Sequence, residues 1–254
     1  MYNFEICANS VKSCLAAQEG GAHRVELCSA IPEGGTTPSY GEIALARELL
    51  KIKLHVIIRP RSGDFLYSSL EIKSMLKDIE MCKKSGVDGV VFGILNSLGN
   101  VDLPVMKEFM DAAKGMSVTF HRAFDMCHDP HDALEQIISL GCNRILTSGQ
   151  QPTADAGIPL LKELNEQAKK RIILLAGSGV NETNIQRIAC ETGIYEFHFS
   201  AREKQKSHML YRNSSVSMGG TVHINEYENA YTSVEKVKCT IESLLFAKNE
   251  SNFF

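Results

Sequence analysis

The sequence predicts an α/β protein that folds as one (β/α)8 TIM barrel. Eight short apolar segments start 21, 29, 36, 28, 27, 27 and 25 residues apart, the spacing of a strand plus a crossover helix. Helical patterns lie between these segments, and glycines precede four of them at one fixed distance. At 254 residues the chain has a length at which α/β barrels form a single domain. We therefore expect one domain over residues 1–254, with the barrel units in 3–200.

The predicted strands are short runs rich in β-branched residues, which is typical of buried strands. Between them, apolar residues recur at i, i+3, i+4 and i+7, which predicts helices over Ser10–Glu19, Ser69–Ser85, Asp132–Leu140 and Thr183–Thr192. The strands are Phe4–Cys7, Val25–Cys28, Leu54–Ile58, Val90–Phe92, Val118–His121, Ile145–Thr147, Ile172–Ala176 and Phe197–Ser200.

Four glycines support this alternation of helices and strands. Gly21, Gly86, Gly141 and Gly193 each stand four residues before the start of a strand. A glycine that ends a helix in the left-handed conformation and leads into a strand explains the constant offset. A doubly wound sheet is the alternative, but no Gly-x-Gly-x-x-Gly follows the first strand.

The last unit departs from the regular spacing. A polar stretch over 201–231 predicts an extended loop, and a last helix follows over 232–246. Loops of this length inside a compact domain are uncommon. We expect this one to be a surface flap or to join copies of the chain in a homo-oligomer, with a functional role as the alternative. Its distinctive side chains are Arg202, His208, Tyr211, Arg212, Met218 and His223.

Composition excludes several classes of protein. The formal net charge of −3 gives no general attraction for nucleic acid or for an anionic membrane. The longest apolar runs, such as Ile172–Ala176, fall far short of a membrane span. The N-terminus carries no pattern of a signal peptide. We therefore expect a cytoplasmic protein that binds neither nucleic acid nor membranes.

The eight cysteines are read as reduced thiols in that compartment. No Cys-x-x-Cys pair occurs, so zinc-ribbon and thioredoxin motifs are absent. We expect most of the cysteines to act as small hydrophobic residues. Cys7 and Cys28 are the exceptions, because both end a predicted strand.

Polar side chains alternate with apolar ones along several strands. Because successive side chains point to opposite faces, Ile6, Leu27, Val56, Ile58, Phe120 and Phe199 are assigned to the outer face against the helices. Buried charges are costly unless they are paired, so Glu5, Glu26 and Arg59 are expected to pair with one another or with a ligand. A polar interior that opens at the C-terminal face predicts a binding or catalytic site, and an internal salt-bridge network is the alternative. The inner face collects Glu5, Cys7, Glu26, Cys28, His55, Arg59, Thr119, His121, His198 and Ser200.

The segments that follow the strands carry groups suited to an anion. Arg59 and Arg61 follow the third strand, and guanidinium groups bind carboxylate or phosphate through paired hydrogen bonds. His121, Arg122 and Asp125 follow the fifth strand. Small residues after the seventh strand can present backbone N–H groups to an anion. These small residues are Gly177, Ser178 and Gly179.

Cys7 and Cys28 end neighbouring strands on the same inferred face. Adjacent strands lie about 4.8 Å apart, so both thiols can approach one ion. Two soft thiolates suit Cu(I), whereas small packing residues at the rim of the barrel are the alternative role.

Several longer runs of sequence resemble the copper homeostasis protein CutC family over about residues 3 to 220. The resemblance implies a TIM barrel, a cytoplasmic location, a homo-oligomer and Cu(I) binding at Cys7 and Cys28. Ser62 and Ser178 stand where the family usually has glycine. The runs are Phe-Glu-Ile-Cys-Ala-Asn-Ser (4–10), Arg-Val-Glu-Leu-Cys (24–28), Glu-Gly-Gly-Thr-Thr-Pro-Ser (33–39), Ile-Arg-Pro-Arg-Ser-Gly-Asp-Phe (58–65), Thr-Phe-His-Arg-Ala-Phe-Asp-Met (119–126), Leu-Thr-Ser-Gly-Gln-Gln (146–151) and Glu-Phe-His-Phe-Ser-Ala (196–201).

Two functions follow as hypotheses. The first is a copper homeostasis protein that binds Cu(I) through Cys7 and Cys28. The second is an enzyme acting on a small anionic substrate that bears phosphate or carboxylate. In the enzyme, Glu5 or Glu26 is the general base with a pKa tuned by Arg59, and His121 is the partner acid, with Asp125 beside it. The anion would be held by Arg59, Arg61, Arg122, Gly177, Ser178 and Gly179.

Overall fold

Residues 2–218 and 224–250 are described by a computed structural model, with side chains described to residue 245. Eight parallel strands pair in chain order and close into a barrel, so β8 pairs with β1. The predicted TIM barrel is therefore confirmed. The strands are β1 (Asn3–Ala8), β2 (Arg24–Leu27), β3 (Lys53–Ile57), β4 (Gly89–Phe92), β5 (Ser117–Phe120), β6 (Arg144–Thr147), β7 (Ile173–Gly177) and β8 (Glu196–Phe199).

Helices follow the strands and cover the barrel. The sequence patterns place α1, α3, α5 and α7 to within two residues at each end, whereas α2, α4 and α6 were expected only from the alternation. Ser68 and Glu71 form a capping box at the start of α3, which satisfies backbone N–H groups that the helix leaves free. The helices are α1 (Val11–Glu19), α2 (Tyr40–Leu49), α3 (Ser69–Lys84), α4 (Leu103–Ala112), α5 (Pro130–Leu140), α6 (Ile158–Ala168), α7 (Ile185–Thr192) and α8 (Val234–Glu250). None of the helices within the described ranges is long and apolar enough to cross a membrane.

The four spaced glycines have the predicted backbone conformation. Their φ angles are 93° at Gly21, 71° at Gly86, 82° at Gly141 and 71° at Gly193. A residue with a Cβ is strained in this left-handed region, so glycine allows each helix to end and the chain to turn into the next strand.

The strands separate two buried layers, as the alternation predicts. Outward side chains such as Ile6, Val56 and Phe120 belong to the large apolar core shared with the helices. A second set of buried apolar residues is not part of that core and shares the inward parity of the polar residues. These inward residues are Cys28, Ile57, Val91, Leu146 and Leu175.

The segment predicted as an extended loop over 201–231 contains regular structure. Arg202–Lys206 (β9) and Glu228–Thr232 (β10) form an antiparallel pair beside the barrel. The sequence of β9 is entirely polar and lies half-exposed, so it lacks the apolar alternation that identifies a strand. The hairpin positions Arg202 at the mouth of the barrel. Residues 219–223 of this segment, which include His223, lie outside the described residues.

Candidate functional site

A cavity of about 660 Å³ opens at the end of the barrel where the strands finish. In TIM barrels the loops at this end carry the functional groups. Many residues predicted for a site line the cavity, whereas Glu5, Arg61 and Gly177 do not. The predicted residues that line it are Cys7, Glu26, Cys28, Arg59, His121, Arg122, Asp125, Ser178 and Gly179.

The two strand-end cysteines meet at the inner wall of this cavity. Cys7 lies opposite Glu26 in the register of β1 and β2, and Cys28 follows β2 directly. The two Sγ atoms are 4.0 Å apart. Cys28 is buried and Cys7 is half-buried. Neither cysteine forms a disulfide, and Cys7 is the more accessible of the two from the cavity.

Closure of the barrel brings His198 to the same wall. His198 on β8 lies opposite Glu5 on β1. Its Nδ1 is 2.7 Å from Glu5 Oε1, and its Nε2 is 3.6 Å from Glu26 Oε2. A sulfur, an imidazole nitrogen and a carboxylate oxygen from Cys7, His198 and Glu26 all lie within 4.8 Å of one another. The arrangement can hold one metal ion.

A network of buried charges lies beneath these groups. Arg24 bonds to Glu5 and, at 2.9 Å, to Glu196. Arg144 bonds to the same Glu196 oxygen at 2.8 Å. The buried carboxylate of Glu5 is thus paired with Arg24 and His198, and the expected partner Arg59 plays no part in it. This network joins strands of the barrel and orients His198 through Glu5.

The charges of the cluster follow from these contacts. Burial by itself would raise the pKa of Glu5, but Arg24 and His198 hold it well below its ordinary value. Burial opposes protonation of His198, yet Cys7, Glu5 and Glu26 raise its pKa well above the ordinary value. The hydrogen bond with Cys28 lowers the pKa of Cys7 well below that of a free thiol, with His198 and Arg202 adding to the effect. A thiolate at Cys7 beside a protonated imidazole is therefore favoured.

Glu26 differs from Glu5 in its protonation. Burial raises the pKa of Glu26 to about 8, while the nearby His198 opposes the increase. Its Oε1 is buried and has no hydrogen-bond partner among the described residues. Glu26 thus favours the neutral, protonated form near neutral pH and Glu5 the ionised form, although the same sequence pattern predicted both as inward carboxylates.

The predicted anion-binding arginines serve different purposes. Arg59 lines the cavity but donates to the backbone carbonyls of Glu33, Gly35 and Gly63 at 2.8–3.1 Å. Arg61 does not line the cavity and pairs with Glu71 at 2.6 Å and Asp64 at 2.9 Å. Arg61 therefore holds the segment after β3 together.

The segments after β5 and β7 also carry predicted residues. Asp125 accepts from Arg122, from Thr147 Oγ1 at 2.6 Å and from the backbone N–H of Ser148. These hydrogen bonds hold the turn after β6 in place, so the Asp125 carboxylate has a structural role. Ser178 stands in the left-handed region with φ 77°, and its hydroxyl donates to the carbonyl of Pro152 at 2.8 Å. Gly179 lines the cavity beside it.

His121 is buried beside Phe65. Burial lowers its pKa to about 3, with Arg59 adding to the effect, so the ring is neutral. Its Nδ1 accepts from the backbone N–H of Ala123 at 3.2 Å, which leaves the proton on Nε2. That Nε2 has no partner among the described residues. His121 is therefore a neutral hydrogen-bond donor, and its role as the partner acid stays a prediction.

Two residues of the cavity were not assigned a role from the sequence. Alternation placed His198 on the inner face, and only the pairing of β8 with β1 shows that it reaches Cys7. Arg202 was seen only as part of the polar segment, yet its Nη2 lies 3.7 Å from Cys7 Sγ. The polar sequence around Arg202 has no periodic pattern, so the sequence gives no signal that this residue lies at the cavity.

The CutC family model matches residues 2–203. This chain belongs to the CutC family. A CutC family protein of Bacteroides fragilis is 70% identical over 244 residues, which cover 96% of this chain and 97% of that protein. The human copper homeostasis protein cutC homolog is 48% identical over 234 residues, covering 92% and 86%. A crystal structure of a putative copper homeostasis protein CutC from Streptococcus agalactiae aligns with a TM-score of 0.76 at 35% identity, covering 79% of this chain and 99% of that one.

Proposed function

We propose that this CutC family chain binds Cu(I) in the cytoplasm through the thiolates of Cys7 and Cys28, as part of copper homeostasis. The observation that carries the proposal is the 4.0 Å separation of the two Sγ atoms on the wall of the cavity. Two metal–thiolate bonds of about 2.3 Å together span more than this distance. One ion can therefore contact both sulfurs with little movement of the strands.

The donor types favour Cu(I) over harder cations. Two thiolates and one imidazole are soft or borderline ligands, which suit Cu(I) and Zn²⁺. The relatives named as copper homeostasis proteins favour Cu(I) of the two. Ca²⁺ and Mg²⁺ prefer sets of oxygen ligands, and only Glu26 offers one within the cluster. Cu(I) is here the cargo of the protein.

His198 supplies a nitrogen donor from the third side. Its Nδ1 faces Glu5 at 2.7 Å, so Nε2 is directed toward Cys7 and Glu26. A carboxylate that holds the far nitrogen of a ligating histidine fixes the orientation of the ring and strengthens the ligand. Arg24 keeps Glu5 ionised for this role. Binding of Cu(I) should release protons from His198 and from Cys28, whose pKa is raised well above its ordinary value by the hydrogen bond with Cys7.

The cavity provides the route to the thiols. Both cysteines line it, but Cys7 is half-buried whereas Cys28 is buried. An incoming ion therefore meets Cys7 first and reaches Cys28 and His198 afterwards. Exchange of copper with another thiol-bearing molecule would proceed at Cys7.

A titration with a chromophoric Cu(I) chelator under anaerobic, reducing conditions tests the proposal. The Cys7→Ser, Cys28→Ser double variant should lose the tight site. A matched control is the Cys190→Ser, Cys239→Ser variant, because both of those cysteines are exposed on helices α7 and α8. The control should retain one tightly bound ion per chain. Undiminished affinity in the Cys7, Cys28 double variant would rule out the proposed site.

A further inference from the structure

The cavity is far larger than a metal ion requires. Its volume of about 660 Å³ lies within the range of about 300–1,000 Å³ that is usual for small-molecule sites. The thiols and His198 occupy only one wall. The rest of the cavity therefore needs an explanation that copper binding does not provide.

Two guanidinium groups line this cavity without a carboxylate partner. Arg59, which is only 5% exposed, donates from its guanidinium to backbone carbonyls, and Arg202 contacts Cys7 through Nη2. Within residues 2–218 and 224–250, neither arginine takes part in an ion pair with an acidic side chain. Arg122, by contrast, is neutralised by Asp125 at 2.7 Å. Arg202 is half-buried and faces the Cys7 sulfur, whereas the buried charge of Arg59 has no counter-ion among the described residues. A buried charge without a counter-ion is costly, and an anion in the cavity would compensate it.

Unpartnered donors accompany these charges. The Nε atoms of Arg59 and Arg202 are buried and have no hydrogen-bond acceptor among the described residues, and the same holds for Nε2 of His121. Each of these nitrogens carries a proton. A buried donor without an acceptor costs free energy comparable to a lost hydrogen bond, so the cavity is suited to a ligand rich in acceptor oxygens.

The remaining walls are apolar. Phe65 lies against the Arg59 guanidinium at 5.1 Å and against the His121 ring at 4.9 Å. Val180 and Phe199 line the cavity as well. A ligand with an apolar body and one anionic end would match both parts of the cavity, whereas a free inorganic anion would leave the apolar walls in contact with water.

We propose that the cavity binds a small organic anion, with its carboxylate or phosphate group at Arg202 and Arg59 and its apolar body against Phe65 and Phe199. The site is independent of the copper site, although both share the wall at Cys7. Arg202 anchors the anion because it has the fewest other contacts. Arg59 and His121 are held by the backbone and provide donors at fixed positions.

Thermal unfolding of the full chain, with thiols reduced and copper removed, tests the inference. The probes are phenyl phosphate and phenylacetate, with inorganic phosphate and phenol as partial analogues and sodium chloride at matched ionic strength. At about ten times its Kd, a bound probe should raise the Tm by about 4 °C. A larger shift with phenyl phosphate identifies a phosphate site, and a larger shift with phenylacetate identifies a carboxylate site.

Variants connect the shift to the arginine. Arg202→Gln should weaken binding of the better probe at least tenfold, and Arg202→Lys should recover part of it. Arg212→Gln is the matched control, because Arg212 is exposed and packs on Tyr227 at 5.0 Å. The Cys7→Ser, Cys28→Ser variant should keep the shift, which separates this inference from the copper proposal. The inference is overturned if no organic anion raises the Tm, if Arg202→Gln responds like the native chain, or if the shift requires added Cu(I).

Discussion

Arg24 should contribute more to stability than any exposed ion pair of this protein. Its guanidinium is 7% exposed and bonds to two carboxylates, Glu5 and Glu196, which are themselves almost fully buried. Arg24→Met would leave both carboxylates in the interior with one cation fewer. Removing one member of a buried pair typically costs about 3–5 kcal/mol. Because Glu5 retains His198 at 2.7 Å and Glu196 retains Arg144 at 2.8 Å, we expect the lower end, about 3 kcal/mol.

Urea unfolding followed by far-UV circular dichroism measures this loss, since the chain has no Trp to report by fluorescence. The loss corresponds to a decrease in Tm of about 9 °C for a domain of this size. Adding Glu5→Gln to Arg24→Met should restore part of the stability, because the carboxylate left without its main partner is then neutral. Arg171→Met, which removes an exposed pair with Glu135, is the control and should change little. A loss in Arg24→Met no greater than in this control would refute the reasoning.

Three further predictions concern other parts of the chain. Burial lowers the pKa of His121 to about 3, so below pH 6.5 only the unfolded chain binds a proton at this residue and the free energy of unfolding falls as the pH decreases. His121→Gln should reduce the loss of stability between pH 7 and pH 5 by about 2 kcal/mol, measured by urea unfolding at each pH. An unchanged loss in the variant would contradict this. A methyl group at Gly89 would lie 2.5 Å from His55 Nε2, so Gly89→Ala should lower the free energy of unfolding by about 1–3 kcal/mol. Gly41 has space for a methyl group, so Gly41→Ala is the control and should not lower the Tm. Equal Tm values for the two variants would show that the interior adjusts to the added group. Leu210 is 99% exposed in the segment beyond β9, where an apolar side chain would be buried if the segment joins copies of the chain. In that case Leu210→Ser should lower the molar mass measured by light scattering. An unchanged molar mass would exclude this contact.

Local patterns were sufficient to predict the barrel and much of its polar interior. Strand spacing, the four glycines and the two-residue alternation all depend on neighbours along the chain, so the sequence alone reveals them. Alternation assigned Cys7, Glu26 and Cys28 to one inner surface, because the direction of a side chain in a strand depends only on its parity. The resemblance to the CutC family then indicated copper for the two thiols.

Which side chains pair with one another across the barrel can be seen only in the tertiary structure. Glu5 pairs with Arg24 and His198, and Arg59 bonds to backbone carbonyls instead, because these choices depend on which strands are adjacent and how they are shifted. Parity shows that a charged side chain points inward, but it does not show at which level along the barrel axis the side chain lies. Arg24 shares the inward parity of Glu26, but it is the first residue of β2 and lies outside the segment Val25–Cys28 that the apolar pattern identifies.

The fold class, the inner surface and the two cysteines at neighbouring strand ends can be predicted from the sequence, since they follow from periods of two residues and of one strand–helix unit. That His198 meets Cys7 and that Arg202 reaches the mouth of the barrel can be seen only in the folded chain. Nearly two hundred residues separate each of them from Cys7, and a contact at that distance is produced by closure of β8 on β1 and by the hairpin that follows. No local pattern records such a contact, because its energy depends on groups that only the closed barrel brings together.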